Sequence, residues 1–277
     1  MTTLTATDVT TATAPPPVTR HIGPAKTVRQ SLTLAGRAIV KIRKNPETLL
    51  DVTLQPIIFL VLFVYLFGGA IQGGSTQYLQ VLLPGLMVQN TVFASMGIGM
   101  ALNTDITKGV FDRFRSMPIA RSAPLVGAVL GDVVRYLVAL TVLLVTAVVM
   151  GFRTHTDPAS FLLVVVLMLV FGLCLCWVSV LVGMLVKSPN AVPGTLVGIL
   201  FPLTFGSNVF VDPSTLPGWL QGWVHINPVS HLTTAARGLL LGGGDWVGHA
   251  AWAFTWAIGI AAVFMPLALR AYKRRVG

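Results

Sequence analysis

The sequence predicts an all-α integral membrane protein with six transmembrane helices, and three observations support this fold class. Hydrophobic residues make up 54% of the 277 residues and charged residues only 10%, whereas soluble domains carry roughly 25% charged residues. Long apolar runs recur along the chain, separated by short polar segments or segments rich in glycine and proline. Sixteen of the nineteen Lys and Arg residues lie in the two chain ends, one central segment and one short turn. Because such blocks flank membrane spans, the net charge of +10 does not indicate a nucleic-acid-binding protein.

The N-terminal region divides into a tail and a helix. Residues 1–24 are rich in Thr, Ala and Pro, which predicts a disordered cytoplasmic tail. The pattern at residues 25–44 predicts a basic amphipathic helix in the inner membrane interface. On such a helix one face is apolar and the opposite face carries Lys and Arg. The apolar face consists of Val28, Leu32, Ala35, Ile39 and Ile42. A surface anchor and a contact for a cytoplasmic partner both fit this pattern.

One transmembrane domain is predicted over residues 45–272, followed by a basic cytoplasmic tail at 273–277. Asn45-Pro46 is a helix start, since Asn caps well and Pro fits the first turn. Because the number of spans is even and positive charge prefers the inside, both termini are predicted in the cytoplasm. The spans are predicted at about 46–67, 78–102, 123–150, 161–186, 191–209 and 246–269.

The segment 211–245, before the last span, is neither clearly a loop nor clearly a span. Prolines divide it, and Trp219 and Trp223 are spaced as aromatic anchors at a membrane interface. We therefore predict two short re-entrant helices in the outer leaflet. His225 and His231 lack a third ligand at a suitable spacing, so no metal site is predicted.

Several polar side chains fall inside the predicted spans. Gln55, Gln89, Asn90 and Asn208 fit either helix packing, including a dimer interface, or the lining of a translocation path. Asp132 and Arg135 stand three residues apart on one helix face, which predicts an intramembrane ion pair with either a packing role or a functional one. Cys174 and Cys176 lie on different faces of one helix and are predicted to be unpaired packing residues.

The most polar central segment, residues 105–121, reads DITKGVFDRFRSMPIAR. On a helix Phe111 and Phe114 share a face, and Pro118 ends the helix soon after. A short amphipathic helix of this kind suits a groove on a soluble partner, although an ordinary solvated loop fits the same charges. The positive-inside rule makes the segment cytoplasmic.

Catalytic and nucleotide-binding motifs are missing from the sequence. It contains no GxxxxGK[ST], HExxH or GxSxG, so we expect neither an enzyme nor a nucleotide or metal cofactor bound by this chain. Asp132 is the only titratable acid deep in a span, and Arg135 stands beside it, which argues against a proton-coupled carrier. The expectation that remains is a translocation path that takes its energy from a partner through the segment 105–121.

Three runs, DVTLQPIIF, LLPGLMVQN and LNTDITKGVFDRFRSMPIARSAPLVGAVLGDVVRYLV, resemble the ABC-2 type permeases of the daunorubicin-resistance class over about residues 45–272. The resemblance implies six spans, an N-terminal interfacial helix, a cytoplasmic coupling helix between spans 2 and 3, and re-entrant outer helices before span 6. It also implies a bacterial cell membrane location.

The resemblance further implies a complex of two permease copies, expected to be a homodimer, with two copies of a separate P-loop ATPase that binds ATP and Mg²⁺. The expected cargo is an amphiphilic or hydrophobic small molecule of antibiotic or drug type. Exporters of a glycolipid or polymer, and a scaffold or immunity protein that transports nothing, are the alternatives. The residues that the resemblance assigns to the ATPase contact are Gly109, Phe111, Asp112, Arg113, Phe114, Arg115 and Pro118.

Overall fold

The computed structural model describes residues 47–72, 74–110, 123–154 and 156–276, with four single positions at 29, 33, 36 and 40. Over this part of the chain the regular structure is helical and contains no strand. The four single positions are helical and exposed, and they fall within the predicted interfacial helix at 25–44. The predicted tail at 1–24 lies outside the described residues.

The first two helices form a tight antiparallel pair. Helix α1 spans Glu47–Gln72 and α2 spans Ser75–Ala94, so most of the loop predicted at 68–77 is helical instead. In an apolar medium the backbone groups must bond within the helix, and the glycines at 68 and 69 therefore do not end it. Gly68 lies at the turn, where a Cβ would stand 2.7 Å from the Cα of Ser75.

Helix α3, Met96–Thr107, continues the second span after a break at Ser95. The hydroxyl of Ser95 donates to the carbonyl of Val92 at 2.6 Å, and the Ser95 N–H donates to the same carbonyl at 3.2 Å. The two helices together form one apolar stretch of 33 residues, Ser75–Thr107. A single continuous helix at 78–102 was predicted, because no sequence feature distinguishes a serine break from a serine on a helix.

The remaining helices are arranged around one central span. Helix α5, at Pro158–Leu185, packs against α3, α4, α8 and α9 and supplies buried side chains to both large apolar clusters. Small residues allow α3 to approach it closely, since a Cβ on Gly99 would overlap the carbonyl oxygen of Ser179. The other helices are α4 (Ala123–Val149), α6 (Ala191–Phe205), α7 (Gly218–Ile226), α8 (Pro228–Leu241) and α9 (Trp246–Val276).

The C-terminal ends of two helices differ from the span ends that the sequence predicts. Helix α6 stops at Phe205 instead of residue 209, because Ser207 turns the chain by donating its hydroxyl to the carbonyl of Thr204. Helix α9 continues to Val276 instead of residue 269, and its last turn carries Arg275, which bonds to the end of α5. The first difference follows from a local contact three residues apart, and the second is accompanied by contacts with a distant part of the chain.

Four helical segments among the described residues are long and apolar enough to cross a membrane. They are Ser75–Thr107, Pro124–Val149, Pro158–Leu185 and Trp246–Arg275, and two shorter apolar helices occur at Thr53–Gly69 and Ala191–Phe205. The all-helical membrane fold is thus confirmed. The full set of six spans and the re-entrant position of α7 and α8 stay predictions.

Candidate functional site

A cavity of about 610 Å³ lies between the helices of the first, second and fifth predicted spans. Its wall is mostly apolar, and α1, α2, α3 and α6 supply most of it, while α4 contributes one residue. The lining residues are Leu54, Gln55, Pro56, Ile58, Phe59, Leu86, Gln89, Asn90, Phe93, Ala94, Met96, Gly97, Met100, Arg135, Pro193 and Val197.

Three of the four amides singled out from the sequence line this cavity. Gln55 is exposed on α1, whereas Gln89 and Asn90 are buried on α2. The Nδ2 of Asn90 is buried and has no hydrogen-bond partner. Asn208 lies elsewhere, where its Nδ2 donates to the Thr234 hydroxyl at 2.9 Å and links the end of α6 to α8. The structure thus divides the amides into a group at the cavity and one packing residue.

Among the described residues of the lining only Arg135 is charged, and it reaches the cavity from α4. Its Nη1 lies 3.5 Å from Oδ1 of Asp132, and its Nη2 donates to the carbonyl of Ala94 at a long 3.4 Å. The Nε is buried without a partner. The predicted pair at 132 and 135 therefore lies within ion-pair distance, with one donor of its arginine unused.

Asp132 faces a polar cluster behind the cavity wall. Its Oδ2 lies 3.9 Å from the Sγ of Cys176, and that sulfur is 3.0 Å from the hydroxyl of Tyr136, which donates to the carbonyl of Gly172 at 3.2 Å. Cys174 and Cys176 are both free thiols. The contact between Cys176 and Asp132 was not predicted, because the two residues lie on different helices and no sequence spacing relates them.

Gly97 makes room for the guanidinium of Arg135. A Cβ at position 97 would overlap the Nη1 and Nη2 atoms of that side chain. No positive φ requires a glycine at this position. The reason for glycine at 97 is therefore the close approach of a cation to the helix backbone, which a single sequence does not reveal.

The C-terminal end of α3 is clamped to the C-terminal end of α5. Asn103 donates from Nδ2 to the carbonyls of Gly183 at 2.8 Å and Val186 at 2.6 Å. Arg275 of α9 donates from Nη1 to those same two carbonyls at 2.9 and 2.7 Å, and to Met184 at 2.8 Å. Helix C-terminal carbonyls lack partners within their own helix and carry partial negative charge, so an amide and a guanidinium stabilise them well.

The predicted coupling segment begins directly after this clamp. Gly109 has a φ of +68°, and its N–H donates to the carbonyl of Ile106 at 3.0 Å, so glycine ends α3 in the left-handed conformation that L side chains resist. Phe111, Asp112, Arg113, Phe114, Arg115 and Pro118 lie outside the described residues. The ATPase contact of all seven residues stays a prediction.

At the opposite end, α7 exposes both predicted anchors, since Trp219 is 78% and Trp223 is 46% accessible. His231 on α8 contacts His249 on α9 with 3.0 Å between the two Nδ1 atoms. His225 takes no part in a cluster of three or more metal-binding side chains, and no such cluster occurs among the described residues. Sequence reasoning did not single out His249, which the fold of α9 against α8 brings to this place.

Comparison with known proteins decides the family. A sequence profile described as "ABC-2 type transporter" matches residues 29–241. The chain belongs to the ABC-2 type transporter family. It is 41% identical over 252 residues to the daunorubicin resistance ABC transporter permease protein DrrB1 of Streptomyces coeruleorubidus, with 91% of this chain and 88% of the relative covered. The doxorubicin resistance ABC transporter permease protein DrrB of Mycobacterium tuberculosis is 30% identical over 221 residues, with 77% and 76% covered.

The resemblance found in the three sequence runs is thus confirmed as family membership. Both relatives are named as permease proteins, which agrees with the prediction of a membrane permease subunit that is not itself an enzyme. The profile includes α1 to α8, and therefore all the helices that line the cavity.

Proposed function

We propose that this chain is the membrane-spanning permease subunit of an ATP-driven exporter for an apolar or amphiphilic small molecule of antibiotic type. The cargo leaves the cytoplasm or the inner leaflet through the cavity between α1, α2, α3 and α6. This cavity is the observation that carries the proposal. Its volume of about 610 Å³ falls within the range of roughly 300–1,000 Å³ found for sites of drug-sized ligands.

The chemistry of the wall agrees with such a cargo. Leucine, isoleucine, phenylalanine and methionine side chains dominate it, and only Arg135 carries a charge. An apolar wall with a few polar groups binds a molecule by burial of apolar surface and orients it by hydrogen bonds. A polysaccharide or another highly polar polymer would leave most of its hydroxyl groups without partners on this wall.

The exposed face of α1 supports a second permease copy. Leu54 and Ile58 line the cavity and are also 55% and 51% accessible, and Leu62, Tyr65 and Leu66 continue the exposed apolar face. A second copy packed on this face would enclose the cavity at a symmetric interface. We therefore propose a homodimer of permeases, in a bacterial cell membrane, with both termini in the cytoplasm.

Energy comes from a separate P-loop ATPase subunit that binds ATP and Mg²⁺, in two copies per complex. Helix α3 offers a direct mechanical link, because Met96, Gly97 and Met100 form cavity wall and the last turn of the same helix belongs to the coupling segment 105–121. Asn103 and Ser95 hold α3 against α5, so α3 would transmit a displacement as a rigid element. Closure of the ATPases would then move the cavity wall and open the path outward.

The test uses inside-out membrane vesicles that contain this chain together with the P-loop ATPase that co-purifies with it. Daunorubicin serves as the probe, because the relative DrrB1 is named for resistance to it. We expect ATP-dependent accumulation of daunorubicin in the vesicles. The double variant Arg113→Ala with Phe114→Ala should lose this accumulation while its level in the membrane is unchanged, because it lacks the predicted docking side chains.

Arg274→Ala is the matched control, since Arg274 is an exposed arginine at the inner end of α9 and should keep full transport. Normal efflux by the Arg113→Ala, Phe114→Ala variant would contradict the coupling role. If no ATPase co-purifies with the chain in any mild detergent, the chain is better interpreted as a scaffold that transports nothing. Normal ATP turnover without daunorubicin movement would exclude this cargo class and favour the export of a glycolipid or polymer.

A further inference from the structure

One part of the cavity wall has hydrogen-bond donors that nothing in the protein uses. The Nδ2 of Asn90 and the Nε of Arg135 are buried without a partner, and both residues line the cavity. Donors buried in an apolar region are costly unless they are bonded. Two such donors on residues of the same cavity indicate a site whose missing partner is a ligand.

The depth of these residues separates a cargo from a lipid headgroup. Arg135 lies near the midpoint of the apolar helix Pro124–Val149, and Asn90 lies near the midpoint of the apolar helix Ser75–Thr107. The hydrocarbon region is about 30 Å thick, so the midpoint of a spanning helix lies about 15 Å from either edge of it. The phosphate and ester groups of a bilayer lipid in its usual position do not reach this depth.

The charge balance determines which acceptor fits. Asp132 already lies 3.5 Å from Arg135 and supplies one negative charge to the guanidinium. A second full negative charge would be desolvated without a counter-charge, and an ammonium group would compete with the guanidinium for Asp132. A neutral carbonyl or ether oxygen accepts a hydrogen bond at a much lower desolvation cost.

Neither donor requires a change of fold to meet such an oxygen. The terminal torsion of an asparagine amide is broad and roughly two-fold, so the Asn90 amide can turn toward the cavity. The Arg135 side chain lines the cavity and is 17% exposed. The weak 3.4 Å bond from its Nη2 to Ala94 is easily exchanged for one to a ligand.

We propose that Asn90 and Arg135 form a specificity site that recognises a neutral hydrogen-bond acceptor, such as a ketone, quinone or ester carbonyl, on an otherwise apolar cargo. The inference rests on the proposed function, and it adds the class of substrate: carbonyl-bearing apolar molecules are preferred over hydrocarbons of the same shape and over molecules that place a cation at this site. Gly97 acts as a positioning residue, because it sets where the guanidinium lies.

The experiment measures binding without ATP, so it does not depend on transport. The full chain is placed in discs of ether-linked phospholipid, which carry no carbonyl group and therefore do not supply a competing carbonyl acceptor. The probes share a pyrene body: methyl pyrenebutyrate bears a neutral ester, butylpyrene bears no polar group, and pyrenebutylamine bears a cation. Quenching of tryptophan emission is measured as a function of the probe's concentration in the bilayer, and the curve gives the affinity of each probe.

We expect the ester to bind about five- to tenfold more tightly than butylpyrene, as one or two net hydrogen bonds provide, and the amine to bind more weakly than the ester. Asn90→Leu keeps the volume but removes the amide and should abolish the preference. Gly97→Ala, which displaces the guanidinium, should reduce it. Asn208→Leu is the matched control, because it removes another buried amide far from the cavity, and it should keep the full preference.

Equal binding of the ester and butylpyrene by the unaltered chain would overturn the proposal, and so would a preference that survives in both Asn90→Leu and Gly97→Ala. No saturable binding of any probe would overturn it as well. Having two variants keeps the test valid if one of them fails to fold. Failure of ATP-driven export in the vesicle assay, with the ester preference intact, would contradict the proposed function and leave this site standing.

Discussion

Two arginines in apolar surroundings, Arg135 and Arg237, differ in what their donors do. Arg237 of α8 donates from Nε to the carbonyl of Val81 at 3.1 Å and from Nη2 to the carbonyl of Val209 at 2.9 Å. None of its buried nitrogens lacks a partner. Arg135 has a long bond of 3.4 Å, an ion pair at 3.5 Å and a buried Nε without any partner.

The difference separates a structural arginine from a candidate functional one. Arg237 joins α8 to α2 and to the segment after α6, so its charge is used to hold three parts of the chain together. Arg135 forms weaker contacts and lies on a cavity wall. A buried charge alone is thus poor evidence for a site in a membrane protein, and the hydrogen-bond partners of each donor are the better criterion.

Removing the structural arginine should have the largest effect on stability. Arg237→Met leaves the carbonyls of Val81 and Val209 without their donor, and we expect a loss of about 2–4 kcal/mol in the free energy of unfolding. Thermal unfolding of the purified chain in detergent measures this loss. Arg153→Met is the control, because it replaces an arginine exposed outside the spans and should change stability by less than about 0.5 kcal/mol. Equal losses of stability in the two variants would mean that Arg237 has no special structural role.

The ion pair at the cavity should show coupling of intermediate size. Asp132→Asn or Arg135→Gln alone leaves one charge without its partner, whereas the double variant is neutral at both positions. We expect the single losses to exceed the loss in the double variant, with a coupling energy of about 0.5–3 kcal/mol in a double-mutant cycle of unfolding. The double variant should remain folded and lose the ester preference. Additive losses would mean that the two charges do not act as a pair.

The smallest effect is expected at Asp212, the carboxylate whose charge acts on Arg237. Hydrogen bonds from the Ser214 side chain and backbone, with the charge of Arg237, lower the pKa of Asp212 below its usual 3.8. A lowered folded-state pKa adds stability above the unfolded-state pKa, and this contribution is lost as the pH falls through the folded value. Because Asp212 is exposed, Asp212→Asn should cost less than about 1 kcal/mol. Melting temperatures of the variant and the parent should differ at neutral pH and converge in acid.

The sequence predicted the membrane fold and the family better than it predicted the roles of individual polar residues. Gln55, Gln89 and Asn90 came from a simple rule, that amides inside apolar runs seek partners, and all three line the cavity. The same rule selected Asn208, which bonds to Thr234 instead. Periodicity shows which face of its own helix an amide occupies, but the neighbouring helix decides whether a partner is present.

Helix ends were predicted least well where the cause lies far along the chain. Helix α9 extends past residue 269 and its Arg275 bonds to carbonyls of α5, about ninety positions earlier. The clamp of Asn103 on Val186 and the contact of His231 with His249 have the same origin.

The sequence alone determined that the chain is an all-helical membrane protein, because composition, apolar run length and charge blocks depend on the bilayer and on local segments. It also gave the ion pair at 132 and 135, since three residues on a helix bring two side chains to one face. The ABC-2 type of the chain was indicated by the resemblance of three sequence runs to that family. The tertiary structure alone decided which side chains of α1, α2, α3 and α6 line the cavity and that Arg237 is used in packing. It also left donors of Asn90 and Arg135 unused. The physical reason is that the hydrogen-bond partners of a buried group come from other helices, and helix packing selects them.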